Sequence, residues 1–258
     1  VKQALLDRYD GTRRWIPEAI PDGLAYDLDG PLLRITGMFR GFVEGPPELA
    51  ADGLDDLIAR QCAYFAARGE GFEWKTRAHD RPADLPARLE RAGFVAEEPE
   101  TVLVGVAEEL LGDAPLPGGV TIRQVSARED LRAIAEMESA VWGEDWSWLA
   151  GDLARRVRDG GTDVLVAEAG GLVVSAAWLV RKPGTGFAGL WGGSTLPEWR
   201  GRGIYRALVA RRARLAVASG VEYLQVDASE DSRPILRRLG LHEITRTTPY
   251  VWDAAHAR

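Results

Sequence analysis

Two stretches of the chain spell the same order of elements, and this repeat restricts the fold more than any other feature. Ala59–Glu98 reads ARQCAYFAARGEGFEWKTRAHDRPADLPARLERAGFVAEE, and Ala210–Ile244 reads ARRARLAVASGVEYLQVDASEDSRPILRRLGLHEI. Each begins with an amphipathic helix that ends at a glycine, Gly69 or Gly220, and continues into a short strand, FEWKT or VEYLQV. A polar turn and a Pro-containing second helix follow, closed by RAGF or RLGL. Glycine takes the left-handed backbone that ends a helix at little cost. Matched order favours duplication over chance likeness of two amphipathic units, although one copy needs two extra residues near Glu70.

A chain of 258 residues has room for two domains of ordinary size. Gly and Pro cluster in GDAPLPGG (Gly112–Gly119), so the expected domains are 1–112 and 113–258. In the second, VTIRQV (120–125) reads as a strand and 126–142 as a helix. Ser126 and Glu129 have capping-box spacing there, and Ser147 opens another helix. DVLVAEAG, LVVSAAWLVRKP and FAGLWGGSTL are strands with links short enough for an antiparallel meander. A long helix, VEYLQV, a short helix and a strand ending TPYVWD complete it. The first half has the same ending and a shorter meander in front: AYDLDG, PLLRITG and MFRGFVEG. The expected class is α/β (α+β), each half a mixed, mostly antiparallel sheet flanked by helices.

Composition excludes several functions. Hydrophobic residues at 46% and charged residues at 28% fit a globular chain with a sizeable core. The formal net charge of −7 argues against a nucleic-acid partner. No apolar run approaches the roughly 20 residues of a membrane span, and the polar start VKQALLDRYD is unlike a secretory signal. A cytoplasmic location follows as an expectation. The Ala, Gly, Arg and Asp usage, with Lys at only 2, 75 and 182, is associated with GC-rich bacterial genomes. The single Cys62 excludes an internal disulfide and a cysteine-based zinc site, and reads as an inert thiol on an apolar helix. His79, His242 and His256 lack metal-ligand spacing, so no metal is expected.

The chemistry concentrates in STLPEWRGRGIYRALVARRARLA (Ser194–Ala216), where an apolar strand runs through a two-glycine loop into a long helix. Gly201 and Gly203 let backbone N–H groups converge on an anion at the positive end of that helix. Arg200, Arg202 and Arg206 add charge. An isolated RGRG would read as a strand–helix turn with a basic rim; the strand before it and the helix after it favour a phosphate cradle.

Arg200-Gly201-Arg202-Gly203-Ile204-Tyr205 resembles the R/Q-x-x-G-x-G/A pyrophosphate motif of the GNAT superfamily, the acyl-CoA-dependent N-acyltransferases. Leu239-Gly240-Leu241 resembles its L-G-F signature. The likeness covers the second half fully and the first more faintly, as in a tandem GNAT with a degenerate N-terminal half. It implies acetyl-CoA as co-substrate, bound along Gly193, Ser194, Thr195 and Leu196. The pyrophosphate would lie on Arg200, Gly201, Arg202, Gly203, Ile204, Tyr205 and Arg206, with Ser232 at the CoA tail. The motif departs from the family at Tyr205, where a small residue is usual.

Amine acetylation needs a neutral nucleophile, and with a pKa near 10.4 only roughly 1 in 2,500 alkylamines is neutral at pH 7. A general base helps. FAGLWGGS (Phe187–Ser194) lacks the carboxylate that many relatives carry, and Leu236 stands where many have an acidic tyrosine. On VEYLQVDAS, Leu224, Val226 and Ala228 form one face, and Tyr223, Gln225, Asp227 and Ser229 a polar one. Asp227 is the expected base, with pairing to a nearby Arg as the alternative; Tyr250 is the expected acid.

The acceptor is expected beside AVWGEDWSWLAGD, where Trp142, Trp146 and Glu144 suit a cationic amine. The alternative is that two of the three tryptophans, counting Trp148, pack the core while Glu144 and Asp145 face solvent. The partner is thus an amine of a small molecule or peptide, and the chain a monomeric pseudo-dimer or a homodimer. The first half is expected to bind no CoA, because Pro46 and Pro47 lack N–H groups and Glu48, Asp52, Asp55 and Asp56 repel phosphate. Two functions follow: an N-acetyltransferase, or a catalytically weak module that holds acyl-CoA as a regulatory ligand.

Overall fold

A computed structural model describes residues 1–253. In chain order its elements are α1 (Lys2–Asp10), β1 (Ala25–Asp29), β2 (Leu32–Thr36), β3 (Gly41–Glu44), α2 (Leu54–Arg68), β4 (Phe72–Arg77), α3 (Leu85–Arg91), β5 (Val95–Ala96) and β6 (Glu100–Val106). There follow β7 (Val120–Val125), α4 (Arg128–Trp142), α5 (Trp148–Arg158), β8 (Thr162–Ala169), β9 (Leu172–Lys182), β10 (Phe187–Thr195), α6 (Ile204–Ala218), β11 (Tyr223–Ala228), α7 (Arg233–Arg238) and β12 (His242–Trp252). Both copies of the repeat fold as read, α2–β4–α3 and α6–β11–α7. Gly69 and Gly220 take left-handed angles of φ 66° and 76° at the helix ends. The capping box does not form: α4 starts after Ala127, with no side-chain cap.

By packing, the chain divides into two compact units. One holds residues 1–103, 227–233 and 243–253; the other holds 104–226 and 234–242. The Gly/Pro segment 112–119 therefore lies within the second unit, and the last strand packs with the first.

In the first unit the strand order is β1-β2-β3-β4-β12-β6, with β5 also on β12. β12 runs antiparallel along β4 from Thr247↔Arg77 to Trp252↔Phe72, while β3 and β4 are parallel. α2 and α3 send Leu54, Ile58, Phe65, Leu85 and Leu89 onto Leu32, Val43, Phe72, Trp74, Tyr250 and Trp252 of the sheet. Phe65 stacks on Phe72 with ring centroids 4.2 Å apart. Cys62 is half-buried on α2, and burial pushes its thiol up to about 11.

In the second unit the order is β11-β10-β9-β8-β7. β7 to β10 form the antiparallel meander, and β11 is parallel to β10. Alternation along β8 separates two cores. Val164 and Val166 meet Leu131, Ile134 and Met137 of α4 and Leu149 and Leu153 of α5. Leu165 and Ala167 meet Ile204 and Leu208 of α6. The sheet thus carries helices on both faces, and α6 lies opposite α4 and α5. No helix among the described residues is long and apolar enough to cross a membrane.

Candidate functional site

The end of β10 is irregular in the second unit. Its parallel register with β11 runs from Phe187↔Tyr223 to Gly189↔Gln225, and β10 then continues to Thr195. On the other side, Gly192 faces Ala177 while Ser194 faces Ala176, so Gly193 is the extra residue of a β-bulge. Gly192 and Gly193 both have positive φ, 66° and 93°. A Cβ on Gly193 would stand 2.6 Å from the Tyr205 ring. The large residue in the glycine loop is therefore accommodated by the missing side chain of the bulge.

Two groups fix this irregular segment from below. The Ser175 hydroxyl donates to the Ser194 carbonyl at 2.6 Å. The Arg212 guanidinium, buried on α6, donates to the Trp191 carbonyl at 3.1 Å and to the Trp178 carbonyl at 3.5 Å. Its Nη2 has no partner. Burial pulls this guanidinium down to about 10, with Tyr205 acting in the opposite direction, so it stays charged near neutral pH.

The glycine loop follows at once. Gly201 and Gly203 take φ of 72° and 84°, and α6 begins at Ile204. A Cβ at Gly201 would meet open space; at Gly203 it would lie 3.7 Å from the Pro115 carbonyl and 3.8 Å from Arg206 Nη2. The first amides of a helix have no partner inside it, so the concavity in front of α6 presents donors with basic side chains around it. Arg202 and Arg206 are exposed, and Arg202 lies 4.8 Å from the Trp199 ring centroid. Arg200 ties the loop to the strand through Nε to the Thr195 carbonyl at 2.9 Å. An open, donor-rich and cationic cradle of this kind fits a pyrophosphate.

α4 crosses the same sheet. Glu138, unremarked in the sequence, is 2% exposed and faces the β10 bulge. Its Oε2 accepts from Trp142 Nε1 at 2.9 Å, and Oε1 has no partner. The same indole lies 3.3 Å from Ser194 Oγ. Burial raises the Glu138 carboxyl above the ordinary range, against the Ser194 and Trp142 hydrogen bonds that lower it. The signal was legible: Leu131, Ile134, Ala135, Glu138 and Trp142 make one helical stripe, and a carboxylate interrupts it.

Trp142, Trp146 and Trp148 form a stack, with centroids 6.4 Å and 5.4 Å apart. Trp146 packs against the core, while Trp142 is 58% and Trp148 40% exposed. Glu144 and Asp145 are exposed.

The remaining expected residues lie in the first unit. Asp227 binds Lys75 Nζ at 2.6 Å, and Glu100 stands 3.5 Å from the same ammonium. Burial acts to lower the Lys75 pKa, but Asp227, Glu100 and Glu73 outweigh it and hold the ammonium above its ordinary range. The alternative reading of Asp227 as an ion-pair partner fits, with a lysine in place of the arginine. Tyr250, the expected acid, is 6% exposed in the core beside Trp74 and Phe72. Burial, with Glu90, raises its hydroxyl. Ser232 is in the short 227–233 segment and hydrogen-bonds Ser229. His79 bonds Asp10 and Thr245, and His256 lies outside the described residues. Among the described residues no group of three His, Cys, Asp or Glu is placed to hold a metal.

Comparison with known proteins places these features. Residues 127–241 match the acetyltransferase (GNAT) family. No curated protein matches the chain. A GCN5-related N-acetyltransferase from Kribbella flavida is similar in fold, with a TM-score of 0.69, 18% identity and 89% of each chain covered. A tandem GNAT protein from the clavulanic acid biosynthesis pathway, solved without AcCoA, gives a TM-score of 0.64 at 15% identity. The alignment covers 98% of this chain and 95% of that one. A GCN5-related N-acetyltransferase from Sphaerobacter thermophilus gives 0.62 at 17%, covering 88% and 82%. Residues 127–241 match the GNAT acetyltransferase family model, and the chain is similar in fold to GNAT proteins, a tandem GNAT protein among them.

Proposed function

From the match of residues 127–241 to the GNAT acetyltransferase family, we propose that this chain transfers an acetyl group from acetyl-CoA to an amine of a small molecule or peptide. One observation carries the reading: the β10 bulge and the open glycine cradle follow each other directly, Gly192 to Ile204, on one strand–loop–helix path. Backbone amides of Gly201 to Arg206 would hold the pyrophosphate, with Arg202 and Arg206 as counter-charges. The β10 segment Gly193–Leu196 would align the pantetheine arm. When bound, acetyl-CoA supplies an acyl carbon activated as a thioester. The residues of this chain orient it, cover it and manage the proton of the incoming amine.

Trp142 and Trp148 offer exposed aromatic faces beside the Glu144 and Asp145 carboxylates, a surface suited to a cationic acceptor. The first unit takes no CoA in this reading. The loop before α2 is lined by Asp52, Asp55 and Asp56, and its prolines precede a bridge to Arg81. The test is isothermal calorimetry with acetyl-CoA, followed by CoA release with a panel of amines. One site per chain and amine-dependent release are expected. Binding without release from any amine would replace the transferase with a ligand-holding module, and no binding would remove both.

A further inference from the structure

Glu138 is a buried carboxylate with no cationic partner, a costly arrangement that packing alone does not require. The half-buried Ser194 hydroxyl lies on the irregular end of β10 and hydrogen-bonds the carboxyl, and Trp142 Nε1 lies 3.3 Å from the hydroxyl and 2.9 Å from the carboxylate. Ser194 is also the residue after the bulge, where the strand leaves its register with β9. From these contacts we infer that Glu138 is the terminal proton acceptor for the acyl acceptor amine, reached through Ser194 Oγ, with Trp142 as the residue that orients both. The inference rests on the acetyltransferase reading above.

The step balances without an added reagent. The bound alkylammonium gives a proton to Ser194 Oγ while the serine proton moves to the Glu138 carboxylate, its hydrogen-bond partner. The nitrogen, now neutral, bonds to the acyl carbon as the carbon–sulfur bond breaks, and the departing thiolate takes the proton that the nitrogen sheds on becoming an amide. Glu138 then returns its proton to solvent. Burial supports the role, since it raises the carboxyl toward the working pH of a base. The groups that act on Glu138 are Trp142 on its own helix and Ser194 on β10. Among the described residues no charged side chain of α5, β8 or β9 contributes. Asp152 of α5 is engaged by Arg155 and Arg156.

The test uses the full chain as wild type, Glu138→Gln and Ser194→Ala. CoA release from acetyl-CoA and a panel of alkylamines is followed from pH 6 to pH 9.5. Glu138→Gln is expected to lower kcat/KM about 100-fold at pH 7 and to lose much of that deficit toward pH 9.5, where roughly one alkylamine in nine is already neutral. Ser194→Ala should show the same profile. Independently, without any ligand, the Trp142 indole N–H signal in 15N NMR should titrate with pH, at a midpoint above the ordinary glutamate value of about 4.3. That titration should vanish in Glu138→Gln and survive in Ser194→Ala. An equal loss at every pH in Glu138→Gln would overturn the inference, as would a Trp142 signal that does not titrate. A wild type that releases no CoA from any amine would sink the transferase reading, and the indole titration would then decide on Glu138 alone.

Discussion

Replacing Asp227 by Asn should destabilise the protein and leave the pH profile of transfer unchanged in shape. Lys75 is buried, its side chain 12% exposed, and Asp227 at 2.6 Å is its nearest counter-charge. With an effective dielectric near 20, that attraction is about 6 kcal/mol. Removing Asp227 also removes its own desolvation cost of several kcal/mol and its repulsion with Glu73 and Glu100. Glu100, 3.5 Å from the ammonium, remains to neutralise it. The net expectation is a loss of about 3 kcal/mol, the low end of the range for breaking a buried pair. At 2–4 °C per kcal/mol for a chain of this size, Tm should fall by about 6–12 °C. The double variant Lys75→Met/Asp227→Leu should recover only part of that loss, because it removes the unpaired ammonium but leaves Glu100 without its cation. Differential scanning calorimetry reads the stability, and CoA release from pH 6 to pH 9.5 reads the profile. An unchanged Tm together with a loss of activity confined to neutral pH would refute this reasoning and restore Asp227 as the base.

Gly203→Glu should abolish acetyl-CoA binding by calorimetry with Tm changed by a few degrees at most, since its Cβ meets only the Pro115 carbonyl and Arg206 at 3.7 Å and 3.8 Å; retained affinity would displace the cradle from this loop. Gly193→Val should cost about 2–3 kcal/mol, from positive φ and the contact with Tyr205 at 2.6 Å. Adding Tyr205→Ala should return the steric part of that loss in urea unfolding, and no recovery would argue against the packing described. Stability should also respond to pH through Glu138. Its carboxyl is raised in the folded state, so between the unfolded and folded pKa values the folded protein binds more protons. Stability then falls as pH rises through that window. Glu138→Gln should therefore gain stability relative to wild type above the window and lose the advantage below about pH 4; a constant difference across pH would contradict it.

The sequence by itself determined the repeat, the order of the elements that follow α1 and the loop that opens α6. These rest on local signals: glycines at φ 66°, 76°, 72° and 84° where the chain must turn left-handed, and two-residue alternation on β11. Only the tertiary structure decided where the pieces went. β12 pairs with β4 across more than 160 residues, and nothing local in TRTTPYVW distinguishes one parent sheet from another, because strand pairing is settled by a distant edge. That assignment placed Tyr250 in the core of the first unit. Asp227 and Lys75 are separated by 152 residues, so their ion pair was equally invisible. Glu138 stood in plain view on the apolar stripe of α4. Its meaning came only when packing buried it without a cation and set Trp142 and Ser194 beside it, since the pKa of a carboxyl depends on surroundings that the chain assembles from α4 and β10 together.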